Sequence, residues 1–418
     1  MSRAKLAKAG VPARELRETM QAKAGADLKW KQRLANGVSY PAGDDVLQVA
    51  QEAYLAFFSA NALYPGIFPS MAEYEREVID MTAGLLNGEQ AVGNITSGGS
   101  ESILMAVKSA RDRARVMRPE VSSPNMVVPE SAHPAFWKAA HYFGLKIVLI
   151  PMTKEGLVDL PAYLGAVGDD TVLMVGSAPS TLLGMIDPIP EMAALAAEHD
   201  ISFHTDACVG GYFLPFLEKL GSNSVTPWDF RVPGVTTISL DLHKYGYTAK
   251  GASVVISRDP DIYSHQIFEF GPPQRPKDYY VTPTMAGTRP GGAIAAAWAV
   301  MKYLGEDGYL RLVDGTVRYI KRFQAGINAI EGLSVLGEPV MSVFAYGSEV
   351  FDIHAVADGM EDKGWLVSKE THPLDAILFM QSPGHEPYVD EYLRDLAKVV
   401  ALVTEGRLTA RGAKATYT

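Results

Sequence analysis

The chain has 418 residues, of which 47% are hydrophobic and 21% are charged, a composition typical of a globular protein with one large domain and a second, smaller one. The formal net charge of −10 at pH 7 argues against a surface that binds nucleic acid, but it leaves room for a local basic pocket that holds one phosphate. The single cysteine, Cys208, excludes an internal disulfide, and no uninterrupted apolar run reaches the roughly 18 residues of a membrane helix. We therefore expect a cytoplasmic protein without a membrane span.

The first 60 residues are predicted to form a helical arm. In its last part, from about Asp45 to Ala60, apolar side chains recur on one face at helical spacing. The helix should end in the segment NALYPGIFPS at 61–70, because two prolines and a glycine prevent a continued helix. This segment is rich in aromatic and polar residues, so we expect a loop that lines a pocket. A further helix is predicted from Met71 to Asn87.

A turn of small residues, TSGGS at 96–100, precedes a predicted helix with an apolar face. Gly99 and Ser100 lie at the start of that helix, where free backbone N–H groups and the helix dipole attract an anion. Turns of this composition are also common connectors. The turn alone therefore fits both a phosphate site and a plain connection.

Strands and helices alternate in the next part of the chain, with apolar runs that predict strands near 126–128, 146–150, 172–175 and 201–204. This alternation predicts a parallel sheet with helices on both faces, in which ligands bind beyond the carboxyl ends of the strands. Three polar residues fall at or just after such ends, namely His133, Ser177 and Asp206. Each of them alone also fits a structural role, but their convergence indicates one site.

Two more strands are predicted at 235–238 and 252–256, and the polar segment DLHK at 241–244 lies between them. Lys244 in this connection suits three uses: a solvated charge, a phosphate contact, or an amine that forms a Schiff base. A nucleophilic lysine needs burial or neighbouring cations that lower its pKa from about 10.4. A histidine beside it and a second lysine, Lys250, favour a functional site.

Pyridoxal phosphate requires a lysine for its aldehyde, a carboxylate at its pyridine nitrogen, a ring that covers its face and a helix N-terminus for its phosphate. The chain supplies these groups in the order phosphate turn, His133, Asp206 and Lys244. The residues therefore fit pyridoxal 5'-phosphate as the cofactor.

With these residues in place, the sequence resembles the fold-type I pyridoxal-phosphate enzymes, and most closely the family of sphingosine-1-phosphate lyases, relatives of the group II amino acid decarboxylases. The resemblance extends from about Gly37 to about Asp395, and its most specific segments are IFPSMAEYEREV (67–78), TSGGSESILMAVKSARD (96–112), GSAPS (176–180), HTDACVGGYFLPFLEKLG (204–221), LDLHKYGYTAKGASVV (240–255) and PTMAGTRPGGAIAAAW (283–298). It implies an α/β fold of the aspartate aminotransferase type. The implied organisation is the arm at 1–60, a large cofactor-binding domain with a mostly parallel sheet at 61–300, and a small C-terminal α+β domain at 301–418.

The resemblance also implies roles for residues around the cofactor ring. Lys244 resembles the Schiff-base lysine, and Asp206 resembles the partner of the pyridinium nitrogen. His133 resembles the residue stacked on the ring, with Ala207 against the other face and Ser177 close by. These positions lie in the segments that carry the resemblance.

Other positions resemble the phosphate-binding residues of the family. Gly99, Ser100 and His243 correspond to the set that binds the cofactor phosphate. The turn at Gly287 and Thr288 corresponds to one that reaches the cofactor phosphate of the opposite subunit. A homodimer with shared active sites is therefore implied.

The positions that contact the phosphate of the substrate differ in part from the family pattern. Lys250 and Tyr40 match residues near that phosphate, whereas Tyr64 replaces a histidine of the family's NPLHPDIFP loop. A tyrosine can donate a hydrogen bond to phosphate but brings no charge. The run TLLG at 181–184 also departs from the aromatic or histidine-containing run of the family.

The implied activity is that of a carbon–carbon lyase. Retro-aldol cleavage would convert a phosphorylated long-chain base, such as sphingosine 1-phosphate, to an aldehyde and phosphoethanolamine. The bond to Cα that breaks is the one held perpendicular to the cofactor ring, and the sequence does not show that alignment. An amino acid decarboxylase is therefore the alternative, in which Lys250 would bind a carboxylate instead of a phosphate.

Overall fold

A seven-stranded sheet forms the centre of the chain, which is described by a computed structural model at residues 3, 5–25, 27, 37–271 and 279–411. In chain order the strands of this sheet are β1 (Val92–Thr96), β2 (Asn125–Pro129), β3 (Lys146–Ile150), β4 (Thr171–Ser177), β5 (Ser202–Asp206), β6 (Thr237–Leu240) and β7 (Ser253–Ser257). Across the sheet their order is β1-β7-β6-β5-β4-β2-β3. The pairs β6-β5, β5-β4, β4-β2 and β2-β3 are parallel, which confirms the predicted mostly parallel sheet.

The exception is β7, which runs antiparallel to both of its neighbours, β6 and β1. Because β7 is antiparallel to both, β1 and β6 run in the same direction. As a result, the carboxyl ends of β1, β4, β5 and β6 lie at one edge of the sheet. Loops that follow these strands can therefore meet in one site.

Helices surround this sheet and continue through the rest of the chain. In chain order they are α1 (Ala13–Ala24), α2 (Asp44–Ala56), α3 (Pro69–Leu85), α4 (Gly99–Met117), α5 (Ala135–Phe143), α6 (Leu160–Gly165), α7 (Ile189–Glu198), α8 (Leu214–Lys219), α9 (Pro260–Ser264), α10 (Gly291–Asn328), α11 (Ile353–Asp362) and α12 (Val389–Thr404). A 3-10 helix, Pro383–Tyr388, precedes α12. None of the helices within the described ranges is long and apolar enough to cross a membrane.

Both faces of the sheet are buried under apolar side chains. In β2, Val127 belongs to one hydrophobic cluster, whereas Met126 and Val128 on either side of it belong to another. This alternation follows from the two-residue repeat of a strand. The second cluster includes Ile103 and Leu104 of α4, so this helix covers one face and its N-terminus lies beside the strand ends.

A second, antiparallel sheet lies in the C-terminal part, with the order β10-β11-β13-β12. Its strands are β10 (Ser334–Leu336), β11 (Val343–Gly347), β12 (Ser368–Glu370) and β13 (Ala376–Met380), and a separate pair is formed by β8 (Phe268–Phe270) and β9 (Tyr280–Thr282). Helix α10 leads into this part and contains one non-helical residue, Gly305, with φ of 55°. The antiparallel sheet with α11 and α12 confirms the predicted α+β character of the C-terminal region.

Several predicted boundaries shift in the structure. Helix α3 ends at Leu85 instead of Asn87, because Asn87 has a left-handed φ of 54° that ends a helix. Strand β1 was not predicted, since its sequence VGNIT contains glycine and asparagine, which disfavour strands. Residues 28–36 of the predicted N-terminal arm lie outside the described residues.

Candidate active site

A cavity of about 370 Å³ lies at the edge of the sheet where the carboxyl ends of β1, β5 and β6 meet. Six residues that the sequence assigned to the cofactor line it together: Gly99, Ser100, His133, Asp206, His243 and Lys244. They come from four separate segments of the chain. The sheet topology therefore brings together the phosphate turn, the histidine, the aspartate and the lysine as predicted.

The phosphate turn leads directly from β1 into α4. The first N–H groups of a helix have no partner within it, so they are available to an anion. A Cβ atom added to Gly99 would lie 2.8 Å from Cys208 Sγ and from Asp241 Oδ1, so the cavity tolerates only glycine here. Glu101 fixes the turn, because its carboxylate accepts hydrogen bonds from the Ser97 N–H at 2.7 Å and the Met285 N–H at 2.9 Å.

His133 lies in the loop between β2 and α5. The backbone N–H of Ala135 donates a hydrogen bond to His133 Nδ1 at 3.1 Å, which fixes the orientation of the ring. Burial lowers the pKa of His133, although the negative charge of Asp206 acts in the opposite direction. The imidazole is therefore neutral near pH 7, with its proton on Nε2, as suits a ring that covers a flat cofactor.

Asp206 is the last residue of β5 and pairs in register with Ser177 at the end of β4. Its Oδ1 accepts hydrogen bonds from the Cys208 N–H at 3.0 Å and from Ser239 Oγ at 3.3 Å. Ala207 is fully buried beside it. Asp206 is therefore held in the wall of the cavity, whereas Ser177 and Ala207 lie beside Asp206 but do not line the cavity, so their predicted places against the ring stay predictions.

A second buried carboxyl group, Asp187, lies behind Ser177. Its Oδ2 accepts a hydrogen bond from the Ser177 N–H at 2.7 Å. Burial raises the pKa of Asp187 to about 7, and the charge of Asp206 adds to this although the Ser177 hydrogen bond opposes it. The burial of Asp187 was not predicted, because its position depends on how the loop after β4 folds back.

Lys244 forms an ion pair with Asp241, with 3.0 Å between Nζ and Oδ2. Burial is the largest single influence and acts to lower the pKa of Lys244, but the Asp241 carboxylate, with smaller contributions from Tyr40 and Cys208, raises the pKa overall. The expectation of a lowered pKa is therefore wrong for the amine in this pair. Asp241 was missed by the sequence analysis, although an aspartate three residues before a lysine is a spacing that allows an ion pair.

The residues that line the cavity fit the groups of pyridoxal phosphate. The His243 ring lies next to the phosphate turn, since a Cβ atom added to Gly98 would be 3.6 Å from His243 Cε1. His243 Nδ1 is buried and has no hydrogen-bond partner among the described residues, so an anion in the turn would satisfy it. Lys244 and Asp206 lie in the same cavity, where they could hold the aldehyde and the pyridine nitrogen.

A second cavity of about 410 Å³ adjoins the first, and His243 lines both. Tyr40 and Lys250 line this second cavity together. Lys250 Nζ lies 5.0 Å from the centre of the Tyr40 ring and donates a hydrogen bond to the His243 carbonyl at 3.3 Å. Two of the three predicted substrate-binding residues are therefore neighbours, separated from the cofactor cavity by one histidine.

Tyr64, Gly287 and Thr288 line neither cavity. Tyr64 is 52% exposed, and its loop is attached to the turn at 287–290 through Asn61. Asn61 Nδ2 donates to Thr288 Oγ1 at 3.4 Å, and the Ala62 N–H donates to the Arg289 carbonyl at 3.1 Å. The loop and the turn thus form one surface unit outside both cavities.

The comparisons with known proteins agree with this geometry. A family model described as the pyridoxal-dependent decarboxylase conserved domain matches residues 34–347. The sphingosine-1-phosphate lyase of Oryza sativa subsp. japonica is 41% identical over 395 residues, which cover 92% of this chain and 72% of the rice protein. The sphingosine-1-phosphate lyase 1 of Rattus norvegicus is 41% identical over 357 residues, which cover 85% of this chain and 62% of the rat protein. The chain thus spans less than two thirds of the rat protein's length.

Solved structures show the same relationship. The sphingosine-1-phosphate lyase of Burkholderia pseudomallei matches with a TM-score of 0.91 and 36% identity, covering 97% of this chain and 94% of that chain. A glutamate decarboxylase of Lactobacillus brevis matches with a TM-score of 0.82 and 20% identity over 96% and 95% of the two chains. At this lower identity the second match shows the fold alone. Both matches confirm the predicted fold class.

Proposed function

The chain belongs to the pyridoxal-dependent decarboxylase family and is a homologue of the sphingosine-1-phosphate lyases, and from this premise we propose that it cleaves a phosphorylated long-chain base. The products would be an aldehyde and phosphoethanolamine when sphingosine 1-phosphate is the substrate. The enzyme is a pyridoxal-phosphate-dependent lyase. The relatives that support this choice are lyases at 36–41% identity, whereas the glutamate decarboxylase is a more distant relative.

Three residues of the first cavity have tasks in this reaction. Pyridoxal phosphate, when bound, supplies an aldehyde that takes up an amine and a ring that accepts the electron pair of the bond broken at Cα. Asp206 would hold the pyridine nitrogen of the cofactor. His133 would cover the ring and exclude water from one face. Lys244 would provide the amine that holds the aldehyde.

The observation that carries the proposal is the position of Lys250. Burial lowers the pKa of Lys250, and the neighbouring charge of Lys244 acts in the same direction. Within the described residues no carboxylate lies at ion-pair distance from Lys250 Nζ. An incoming phosphate would supply the missing counter-ion, and the shared His243 places that phosphate one side chain away from the cofactor cavity.

The proposal also includes a homodimeric state and a cytoplasmic location. A homodimer is supported by the surface unit of Tyr64, Gly287 and Thr288, which has no contact with the cavities of its own subunit. Large apolar side chains near this unit are exposed, among them Phe58 at 71% and Ile67 at 69%, as expected for a face that a second copy covers.

A cytoplasmic location is supported by the unpaired, buried Cys208, and cell fractionation would test it.

The test compares wild type with the Lys250→Ala variant on sphingosine 1-phosphate, with aldehyde as the measured product. Loss of a hydrogen bond to a charged group costs about 1.5–3 kcal/mol, which corresponds to a loss of roughly 10- to 150-fold in kcat/KM. Lys138→Ala is the matched control, because Lys138 Nζ also lies over a tyrosine ring, 5.6 Å from the centre of Tyr142, but Lys138 lines neither cavity. The visible absorbance of the cofactor should be the same in all three proteins.

The competing activity is measured in the same preparation with a panel of amino acids, with CO₂ as the product. Aldehyde from the phosphorylated base that depends on Lys250 supports the lyase. CO₂ from an amino acid, with no aldehyde from sphingosine 1-phosphate, would replace the lyase by the decarboxylase. Equal loss of activity in both lysine variants would show that Lys250 has no specific role in phosphate binding.

A further inference from the structure

Two pairs of polar residues face each other across β5 and β6. His204 and Asp206 are two residues apart on β5, so their side chains lie on the same face of the sheet. The register of the parallel strands places His204 opposite Thr237 and Asp206 opposite Ser239. All four side chains are buried. The patterns H-x-D and T-x-S therefore meet inside the sheet, directly behind the cofactor cavity.

These residues are joined by a continuous series of hydrogen bonds. His204 Nδ1 lies 2.9 Å from Thr237 Oγ1, and His204 Nε2 lies 3.1 Å from Ser239 Oγ. Ser239 Oγ donates to Asp206 Oδ1 at 3.3 Å. The series thus leads from the interior of the sheet to the carboxylate at the base of the cavity.

The positions of the protons in this series follow from simple counting. The Ser239 hydroxyl donates to Asp206 Oδ1, so its single proton points at the carboxylate. Ser239 Oγ must then accept from its other neighbours, which are His204 Nε2 and the Cys208 thiol at 3.3 Å. A hydroxyl oxygen has two lone pairs, so both places are taken.

The same counting assigns the tautomer of His204. Burial lowers the pKa of His204 to about 4, so the ring is neutral near pH 7 and carries one proton. That proton is on Nε2, because Nε2 donates to Ser239, and Nδ1 therefore accepts from the Thr237 hydroxyl. Every donor in the series points towards Asp206. With the proton on Nδ1 instead, His204 Nε2 would accept the Ser239 proton, and the Ser239 oxygen would then face the Asp206 carboxylate with a lone pair.

We propose that Thr237, His204 and Ser239 form a one-way series of hydrogen bonds that keeps Asp206 ionised and aimed at the pyridine nitrogen of the cofactor. His204 is the positioning residue of the series and touches neither cofactor nor substrate. The inference rests on the role given to Asp206 in the proposed function. In a buried setting a carboxylate that lacks such donors becomes costly to ionise, and the pyridine nitrogen would then lose its proton.

The experiment measures the protonation state of the pyridine nitrogen. Wild type and variants are loaded with pyridoxal phosphate that carries ¹⁵N in the ring, and the ¹⁵N chemical shift reports whether that nitrogen is protonated. Ser239→Ala removes the side-chain donor to Asp206 and leaves the Cys208 N–H as a donor, His204→Phe removes the ring nitrogens, and His204→Gln keeps an N–H that can reach Ser239. Ser257→Ala is the matched control, since Ser257 Oγ is buried in the neighbouring strand with no hydrogen-bond partner among the described residues.

We expect the ¹⁵N signal of Ser239→Ala and His204→Phe to move towards that of a neutral pyridine, with His204→Gln close to wild type. The dissociation constant of the cofactor should rise about tenfold or more in Ser239→Ala, as for loss of a hydrogen bond to a charged group. Ser257→Ala should match wild type in both measurements. If His204→Phe does not fold, Ser239→Ala alone decides the outcome.

The Asp206→Asn variant separates this inference from the proposed function. If Asp206→Asn shifts the ¹⁵N signal but Ser239→Ala and His204→Phe behave like Ser257→Ala, the series of hydrogen bonds has no such role and the assignment of Asp206 stands. If Asp206→Asn leaves the signal of a protonated nitrogen unchanged, the assignment of Asp206 itself is wrong, and the inference is overturned with it.

Discussion

The Asp241–Lys244 ion pair controls how readily the amine of Lys244 reacts before the cofactor binds. The charges are 3.0 Å apart and the Asp241 side chain is only 3% exposed. At an effective dielectric constant of about 20, two unit charges at this separation attract each other by about 5.5 kcal/mol. A quarter of this energy, about 1.4 kcal/mol, already changes the ratio of ammonium to free amine tenfold.

The Asp241→Asn variant should therefore lower the pKa of Lys244, since burial is then no longer outweighed by the carboxylate. We expect the cofactor-free variant to react with cyanate at Lys244 at least tenfold faster than wild type near neutral pH, because cyanate reacts with the unprotonated amine. Peptide mass spectrometry after timed labelling gives the rate at each lysine.

The control is Asp112→Asn, because Asp112 forms a comparable ion pair with Lys108 at 3.1 Å outside the cavity. This substitution should leave the labelling rate of Lys244 unchanged. Equal rates at Lys244 in wild type and Asp241→Asn would refute the reasoning, since the carboxylate would then contribute nothing to the protonation of the amine.

Three other outcomes are expected from the same structure. Borohydride should link the cofactor to the wild-type protein but not to Lys244→Ala, and an adduct found on Lys250 by mass spectrometry would contradict the assignment of the lysine. Analytical ultracentrifugation should show a homodimer, and a fully active monomer would refute a role of Gly287 and Thr288 in the partner's site. For Asp187 the folded-state pKa of about 7 lies above the unfolded value of 3.8, so wild type loses stability as pH rises between these values. From about pH 5.5 to about pH 8 this loss is about 2 kcal/mol, and Asp187→Asn should not show it in urea denaturation, whereas an identical pH dependence in both proteins would contradict the raised pKa.

The main features of the site were predictable because they depend on local sequence. A polar residue that directly follows an apolar strand, such as Asp206, must lie at the edge of the sheet, whichever strands are its neighbours. The glycine turn at Gly99 and the connection that holds Lys244 are short, so their places follow from the strands beside them. The cavity therefore contains His133 and Asp206 as the strand ends indicated, whereas Ser177 lies just outside its lining.

Other features depend on contacts between distant segments, and the sequence alone did not reveal them. The role of His204 requires the register of β5 against β6, and the buried position of Asp187 requires the path of the loop after β4. The pKa of Lys244 depends on how burial balances against the nearby groups that raise it, chiefly the Asp241 carboxylate. The sequence spacing of Asp241 and Lys244 does not give the size of either effect. Tyr64 and Thr288 line neither cavity, and the sequence alone did not reveal that these two residues lie apart from the other predicted site residues.

Helix α10 has a consequence for the folding of the whole chain. Its residues up to Val313 pack in the hydrophobic core of the large sheet, whereas those from Tyr319 onward pack in the core of the C-terminal sheet. The part of α10 after the kink at Gly305 therefore supplies side chains to both cores, Tyr309 and Val313 to the first and the residues from Tyr319 onward to the second. Melting either core frays the helix and removes apolar contacts from the other. The two regions should accordingly lose their structure in a single cooperative transition, and a truncation within the helix would leave neither with a complete core.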